Sequence, residues 1–400
     1  MFDTLLEYHL VRSSLVVLFK PYHHRPSTGC LLTLRGFNPM TRSTRIPQSA
    51  EEITAQWFTE ALRSTGAIGK AVVKSFRMKP IGVEQGFTGS LFRFTLDYID
   101  REQTDPASLI AKFAPPDPEQ REALKESNIR EVHFYRELVA GHSLPTADCF
   151  YSDMDLETGA SILLLQDLTG MRTVEFLDGC TVQDAERTVR ALAQIHAIWW
   201  DHPELETLPW LSSLEELPYQ EWWAQYPQAI QFLLPDYRIP DTFFEVGQRF
   251  SANMSAIMDR LEGAPFTLIH RDIHVDNILF GDDSSAQPVL LVDWQAAGRG
   301  LGISDVAYFL ISSVPIQHRR QAEVTLVHTY HDFLVESGIQ NYGFGQCWSD
   351  YVFSAVAKLF ISVAATIVVD NSSDYRRAWR TADLQRLVAF IEDHSVYEIL

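Results

Sequence analysis

Leu268-Ile-His-Arg-Asp-Ile-His-Val-Asp-Asn-Ile-Leu-Phe280, followed by Leu290-Leu-Val-Asp-Trp-Gln295, is the stretch on which the reading of this chain turns. One short apolar run leads into His270, Asp272 and Asn277 on a single loop, and a second apolar run leads into Asp293. Phosphoryl transfer needs this set of groups. A carboxylate orients the attacking hydroxyl, while an amide and another carboxylate hold Mg2+ on the phosphates. The apolar runs read as short strands framing the loop, which makes a chance match to the His-x-Asp-x-x-x-x-Asn spacing less credible.

Upstream, the chain reads as an α+β unit built on an antiparallel sheet. Ser49-Ala-Glu-Glu followed by Ile53, Trp57, Phe58, Ala61 and Leu62 predicts an amphipathic helix capped at Ser49. Val72 to Met78 is a candidate strand. In the next, Phe92, Phe94, Leu96 and Tyr98 alternate with Arg93, Thr95 and Asp97, the period of a half-buried strand. Between them Glu84-Gln-Gly-Phe-Thr-Gly-Ser90 is a small-residue turn. A third strand, Leu109 to Phe113, carries Lys112 in its middle; Glu119 to Val139 has helical spacing; Ile162 to Leu165 is a buried strand ending in Gln166-Asp167-Leu168. The second half changes character. Val182 to Trp200 is a strong helix, and helices run from the chemistry to the C-terminus.

The block from 268 to 280 resembles the catalytic and metal-binding loops of the kinase superfamily. Val292-Asp-Trp-Gln295 and Ser304-Asp-Val-Ala-Tyr-Phe-Leu310 resemble its aminoglycoside phosphotransferase, choline kinase and ecdysteroid-kinase-like branch. The likeness spans roughly residues 49 to 390, without the Asp-Phe-Gly and Ala-Pro-Glu motifs of ordinary protein kinases. It implies an α+β, two-lobed protein-kinase-like fold. Residues 1–48 are then a basic extension, 49–168 an N-terminal nucleotide-binding lobe, and 169–400 a larger, mainly helical C-terminal lobe with a substrate-binding insert and the catalytic loop. It also implies ATP and Mg2+ as cofactors and a small-molecule hydroxyl as acceptor: an aminoglycoside, amino alcohol, sugar or sterol-like alcohol.

On that resemblance Asp272 is the catalytic residue, accepting or orienting the proton of the substrate hydroxyl, and Asn277 and Asp293 ligate Mg2+. Lys112 meets a nucleotide phosphate and is held by a helix carboxylate, Glu131. Gly86, Thr88, Gly89 and Ser90 cover the phosphates with backbone N–H groups. The backbone of Gln166, Asp167 and Leu168 meets the adenine. His270 shapes its loop by packing and hydrogen bonding, and Asp305 braces it. Each assignment has a plainer counterpart: a water-facing lysine, a solvated glutamate, an ordinary hairpin turn.

Two rival functions remain on sequence grounds. His270-x-Asp272-x-His274-x-Asp276 with Asp293 has the composition of a hydrolase metal cluster, though alternate residues of an extended loop point apart. A non-catalytic nucleotide-binding pseudokinase is the other. For the acceptor, residues 201 to 262 hold eleven acidic and three basic groups, and five of the nine tryptophans lie between Trp199 and Trp223. Carboxylates and cation–π contacts there suit a cationic acceptor. Lobe packing and a solvated face explain the same residues, with His196 a packing histidine.

Composition bounds the rest. Four hundred residues with 46% hydrophobic and 12% aromatic content support a sizeable core in two domains or one two-lobed domain. A formal charge of −19 argues against nucleic-acid or anionic-membrane binding, and no apolar run is long enough for a bilayer. Cys30, Cys149, Cys180 and Cys347 lie far apart without a CxxC pair, which fits a reducing, cytoplasmic setting. Residues 8 to 50 carry six Arg or Lys and no Asp or Glu; without residues 1 to 50 the chain has 27 basic and 50 acidic groups. That leader reads either as an organelle-targeting segment or as a flexible start preceding Met40. Oligomeric state has no signature in the sequence.

Overall fold

The computed structural model describes residues 45–81, 90–213, 240–282, 288–368 and 373–398. They fall into two compact units that interleave in sequence. One ends at Arg136 and takes up again over Asp148–Asp167; the other comprises Glu137–Ala147 and everything from Leu168. Among the described residues, no helix is long and apolar enough to cross a membrane.

The first unit is an antiparallel sheet with helices. Helix α1 (Ala55–Ser64) is followed by β1 (Val72–Ile81), β2 (Ser90–Ile99), β3 (Ser108–Phe113), α2 (Pro118–His133), β4 (Cys149–Met154) and β5 (Ser161–Gln166). The sheet order is β1-β2-β3-β5-β4, every neighbouring pair antiparallel. The expected helix start at Ser49 is corrected. Ala50–Glu52 forms only a 3-10 turn, Ser49 makes no cap bond, and Thr54 caps α1 by accepting from Trp57 N at 3.1 Å. The difference is local: Ile53 is extended, so the helical hydrogen-bond ladder can begin only after it. Phe58 of α1 meets Phe76 and Phe94 edge-on at 5.3 and 5.1 Å, the arrangement that the ring quadrupoles favour.

Alternation along β3 decides where its lysine goes. Leu109, Ala111 and Phe113 are buried in the core that α1 covers, so Lys112 stands on the opposite face of the sheet. Helix α2, capped by Asp117 with Pro118 at its first position, brings Glu131 to that lysine. Past His133 the helix loosens into a π-helical turn, Phe134–Val139.

The second unit is mainly helical: α3 (Val182–Trp199), α4 (Glu204–Thr207), α5 (Asp241–Ala252), α6 (Met254–Glu262), α7 (Ile303–Ser313), α8 (Ile316–Glu336), α9 (Phe344–Phe353), α10 (Ala355–Val368) and α11 (Asp374–Asp393). Two small antiparallel pairs interrupt the helices, β6 (Thr267–Ile269) with β9 (Gly298–Gly300) and β7 (Ile278–Phe280) with β8 (Val289–Leu291). Helix α7 is the hub. It is apolar around its circumference and buried from Asp305 to Ser313, packed by α3, α8, α9, α10 and α11. Residues 137–147 belong to this unit because Leu291 N donates to Pro145 O at 2.8 Å, and Thr146 Oγ1 accepts from the Trp294 indole at 3.1 Å.

Candidate active site

The loop from β6 to β7 is held from several sides. At the start of α7, Asp305 accepts from the backbone N–H of His270 at 2.6 Å and of Arg271 at 3.0 Å, charge-assisted bonds that fix the loop's entry. The buried His270 ring lies against Trp294 at 4.5 Å; its Nε2 meets Val292 O at 3.0 Å and its Nδ1 faces Asp272 N at 3.3 Å. Those two contacts select the Nε2–H tautomer. Arg271 sits at φ 66°, in the left-handed region a non-glycine residue seldom occupies. Its buried guanidinium donates to Ser212 O at 2.5 Å, Ser212 Oγ at 3.0 Å and Arg299 O at 3.2 Å.

These restraints bring Asp272, Asn277 and Asp293 together. Asn277 donates through Nδ2 to Asp272 O at 2.8 Å, and its own carbonyl accepts from Val292 N at 3.0 Å, one residue before Asp293. The β7–β8 hairpin thus ties both ends of the constellation to each other. With its NH2 group turned to Asp272 O, Asn277 keeps an amide oxygen as donor, and Asp293, at φ 66°, adds a carboxylate directly after β8. Amide and carboxylate oxygens are hard donors of the kind that suit Mg2+.

His274 lies between Asp272 (3.7 Å) and Asp276 (3.4 Å). Burial alone would lower its imidazole; the two carboxylates outweigh that and hold it above its ordinary value. Asp276 is held low: burial opposes this, but its bonds to His274 and to the Trp379 indole prevail. Among the described residues no group of three or more His, Cys, Asp or Glu is arranged to hold a metal ion. The four alternating side chains that suggested a hydrolase cluster are spent on Val292 O, Tyr308, the His274–Asp276 pair and Trp379.

In the sheet unit, Lys112 Nζ pairs with Glu131 at 2.8 Å, both side chains largely buried. Asp167 accepts from Ser108 Oγ and pairs with Arg93 at 3.1 Å; Gln166 N donates to Asp148 O and Leu168 O accepts from Met171 N. Of the turn expected to cover phosphates, Gly86, Thr88 and Gly89 lie outside the described residues, and Ser90 opens β2 opposite Phe113. His196 is fully buried and bonds Tyr330 through Nδ1 at 3.0 Å. Trp199 is buried and Trp200 packs on Tyr342, whereas Trp222 and Trp223 lie outside the described residues.

Sequence reasoning assigns no role to Tyr308, Lys358 or Asp383. Tyr308 donates its hydroxyl to Asp272 Oδ1 at 3.1 Å, and Lys358, paired with Asp383 at 2.9 Å, sits over the Tyr308 ring. The signal for Lys358 was available in the sequence. It is a lone lysine in the apolar run of α10, as Lys112 is in β3.

Residues 97–342, more than half of the chain, match the family model described as the phosphotransferase enzyme family. The chain belongs to this family. It is accordingly an ATP-dependent phosphotransferase with an alcohol group as acceptor. Among solved structures, this phosphotransferase is similar to a candidate aminoglycoside phosphotransferase of Ralstonia eutropha, with 12% identity over 86% of this chain and 97% of the other and a TM-score of 0.51. It is also similar to an ethanolamine kinase of Plasmodium vivax (11% identity, 82% and 85% covered, TM-score 0.46) and to a choline kinase of Cryptosporidium parvum (8% identity, 80% and 91% covered, TM-score 0.49). No curated protein matches it. Its fold is of the protein-kinase-like class, an antiparallel sheet unit followed by a mainly helical one.

Proposed function

We propose that this phosphotransferase moves the γ-phosphoryl group of Mg-ATP to a hydroxyl of a small organic molecule, an aminoglycoside, amino alcohol, sugar or sterol-like alcohol. The observation that carries the reading is the tie running from Asp272 O through the Asn277 side chain and Asn277 O to Val292 N beside Asp293. That tie supports reading Asp272 as the base and Asn277 and Asp293 as two hard oxygen donors held on the same loop and hairpin.

Asp272 orients the acceptor hydroxyl and takes its proton as the oxygen attacks phosphorus. Asn277 and Asp293 are the residues that would hold Mg2+, through the amide and carboxylate oxygens, and the chemistry it would supply there is neutralisation of charge on the phosphate oxygens. Lys112, kept in place by Glu131, engages the nucleotide phosphates, and the main chain of Gln166, Asp167 and Leu168 engages the adenine. Asp305 and His270 keep the loop in shape and take no part in proton transfer.

The test is turnover with Mg-ATP and a panel of amino alcohols, aminoglycosides, sugars and sterols, followed as ADP release. Asp272→Ala should cut transfer about 10²- to 10⁴-fold while the protein still binds nucleotide. Undiminished transfer in that variant removes Asp272 from its role.

A further inference from the structure

We propose that Tyr308 is a positioning residue for the reaction: its hydroxyl fixes the orientation of the Asp272 carboxylate, and Lys358 fixes the ring of Tyr308. This rests on Asp272 being the base of the proposed phosphoryl transfer.

Helix α7 grips the catalytic loop at two heights. Asp305 in its first turn holds the backbone of residues 270 and 271. One turn further on, Tyr308 reaches the side chain of residue 272, its Oη 3.1 Å from Oδ1. Among the described residues, Asp272 Oδ1 has no second bond of that quality, since the His274 ring stands at 3.7 Å, beyond hydrogen-bonding distance. A carboxylate on a freely turning χ2 presents either oxygen to an incoming hydroxyl in a spread of directions. Engaging Oδ1 leaves Oδ2 as the oxygen that meets the proton, in one direction.

Tyr308 is itself held. It is 4% exposed, and the Lys358 ammonium lies 4.2 Å from its ring centroid, a contact between a cation and the electron-rich ring face. Lys358 is fixed in turn by Asp383 of α11 at 2.9 Å and by Ser362 at 3.0 Å, all buried. A buried Lys–Asp pair needs no function and often only clamps two helices. Here, however, the ammonium is laid on the one ring whose hydroxyl reaches the base. Burial first, and then the Asp272 carboxylate, push the Tyr308 phenol well above its ordinary value, so it stays a donor across the working range of pH.

The experiment is Tyr308→Phe, which removes one oxygen and keeps the packing. Phosphate release from Mg-ATP with water as acceptor should slow about 10- to 100-fold in kcat, with KM for ATP unchanged within about twofold. In an Asp272→Asn background the same substitution should slow the residual turnover no further, because the bond it removes serves only the carboxylate. Equal losses in both backgrounds, or none in either, overturn the proposal. Crystal structures of the parent and Tyr308→Phe give a second reading independent of rate: the Asp272 carboxylate should turn, and an unchanged orientation overturns the proposal. If Asp272→Asn keeps full turnover, the underlying assignment of the base has failed instead.

Discussion

Arg271 shows how much of the catalytic loop depends on a single side chain. It takes an unfavourable backbone conformation, and its buried guanidinium spans the loop, Ser212 and β9 through three hydrogen bonds. That span passes over Gly298, where an added Cβ would lie 2.0 Å from the guanidinium carbon. Side chain and methyl cannot both be accommodated, and the loss falls on bonds to a buried charge. Gly298→Ala should therefore destabilise the fold by about 1–3 kcal/mol in urea unfolding, with a larger proportional loss of turnover as Arg271 releases the loop. A variant with parental stability would show that Arg271 re-forms its bonds elsewhere. Sequence alone does not show this. His270, Asp272, Asn277 and Asp293 were legible from residue type and spacing, but the partners of Arg271 lie 59 and 28 residues away, where no local pattern reaches.

Strands and helices decide which of the legible residues meet. Lys112 drew notice in the sequence as a charge inside an apolar strand, and the two-residue period of β3 turns that charge away from the core. Its partner is the helix carboxylate named from the sequence: α2 presents Glu131, which is 2% exposed. Lys112→Met should destabilise the sheet unit by about 3 kcal/mol, because a buried carboxylate loses its lysine. Lys112→Met with Glu131→Leu should recover most of that in urea unfolding without recovering turnover. A single variant as stable as the parent would mean that other contacts already carry Glu131. Other elements were harder to read. β4 is not legible from sequence because Cys149 to Met154 shows no alternation and each of its residues is only half-buried, although the Asp155 to Gly159 turn follows it. Two strands were read around the chemistry where four exist, since β6, β7, β8 and β9 have three residues each, too few to show a period. The first helix was read too early because Ser49-Ala-Glu-Glu carries capping chemistry that Thr54 in fact performs.

At the scale of the chain, a protein of formal charge −19 must bind a polyanion. The mean field of such a surface repels free ATP, so affinity has to come from local cations and from oriented backbone N–H groups. Lys112, already paired with Glu131, contributes little net charge. On the proposed reading, Mg2+ at Asn277 and Asp293 would supply most of the local positive charge. Thermal unfolding makes this measurable, since a ligand that binds only the folded state adds about 2.7 kcal/mol at 100 times its dissociation constant. The melting temperature should rise with ATP and Mg2+ together and far less with ATP and a chelator. Raising the salt concentration should narrow the gap, because screening weakens the repulsion of free ATP more than it weakens a contact ion. Asn277→Ala and Asp293→Ala should each remove the Mg2+-dependent part of the rise and leave the chelator arm unchanged. Equal rises with and without Mg2+ would mean that the nucleotide is held by the backbone alone, and the roles given to Asn277 and Asp293 would fall.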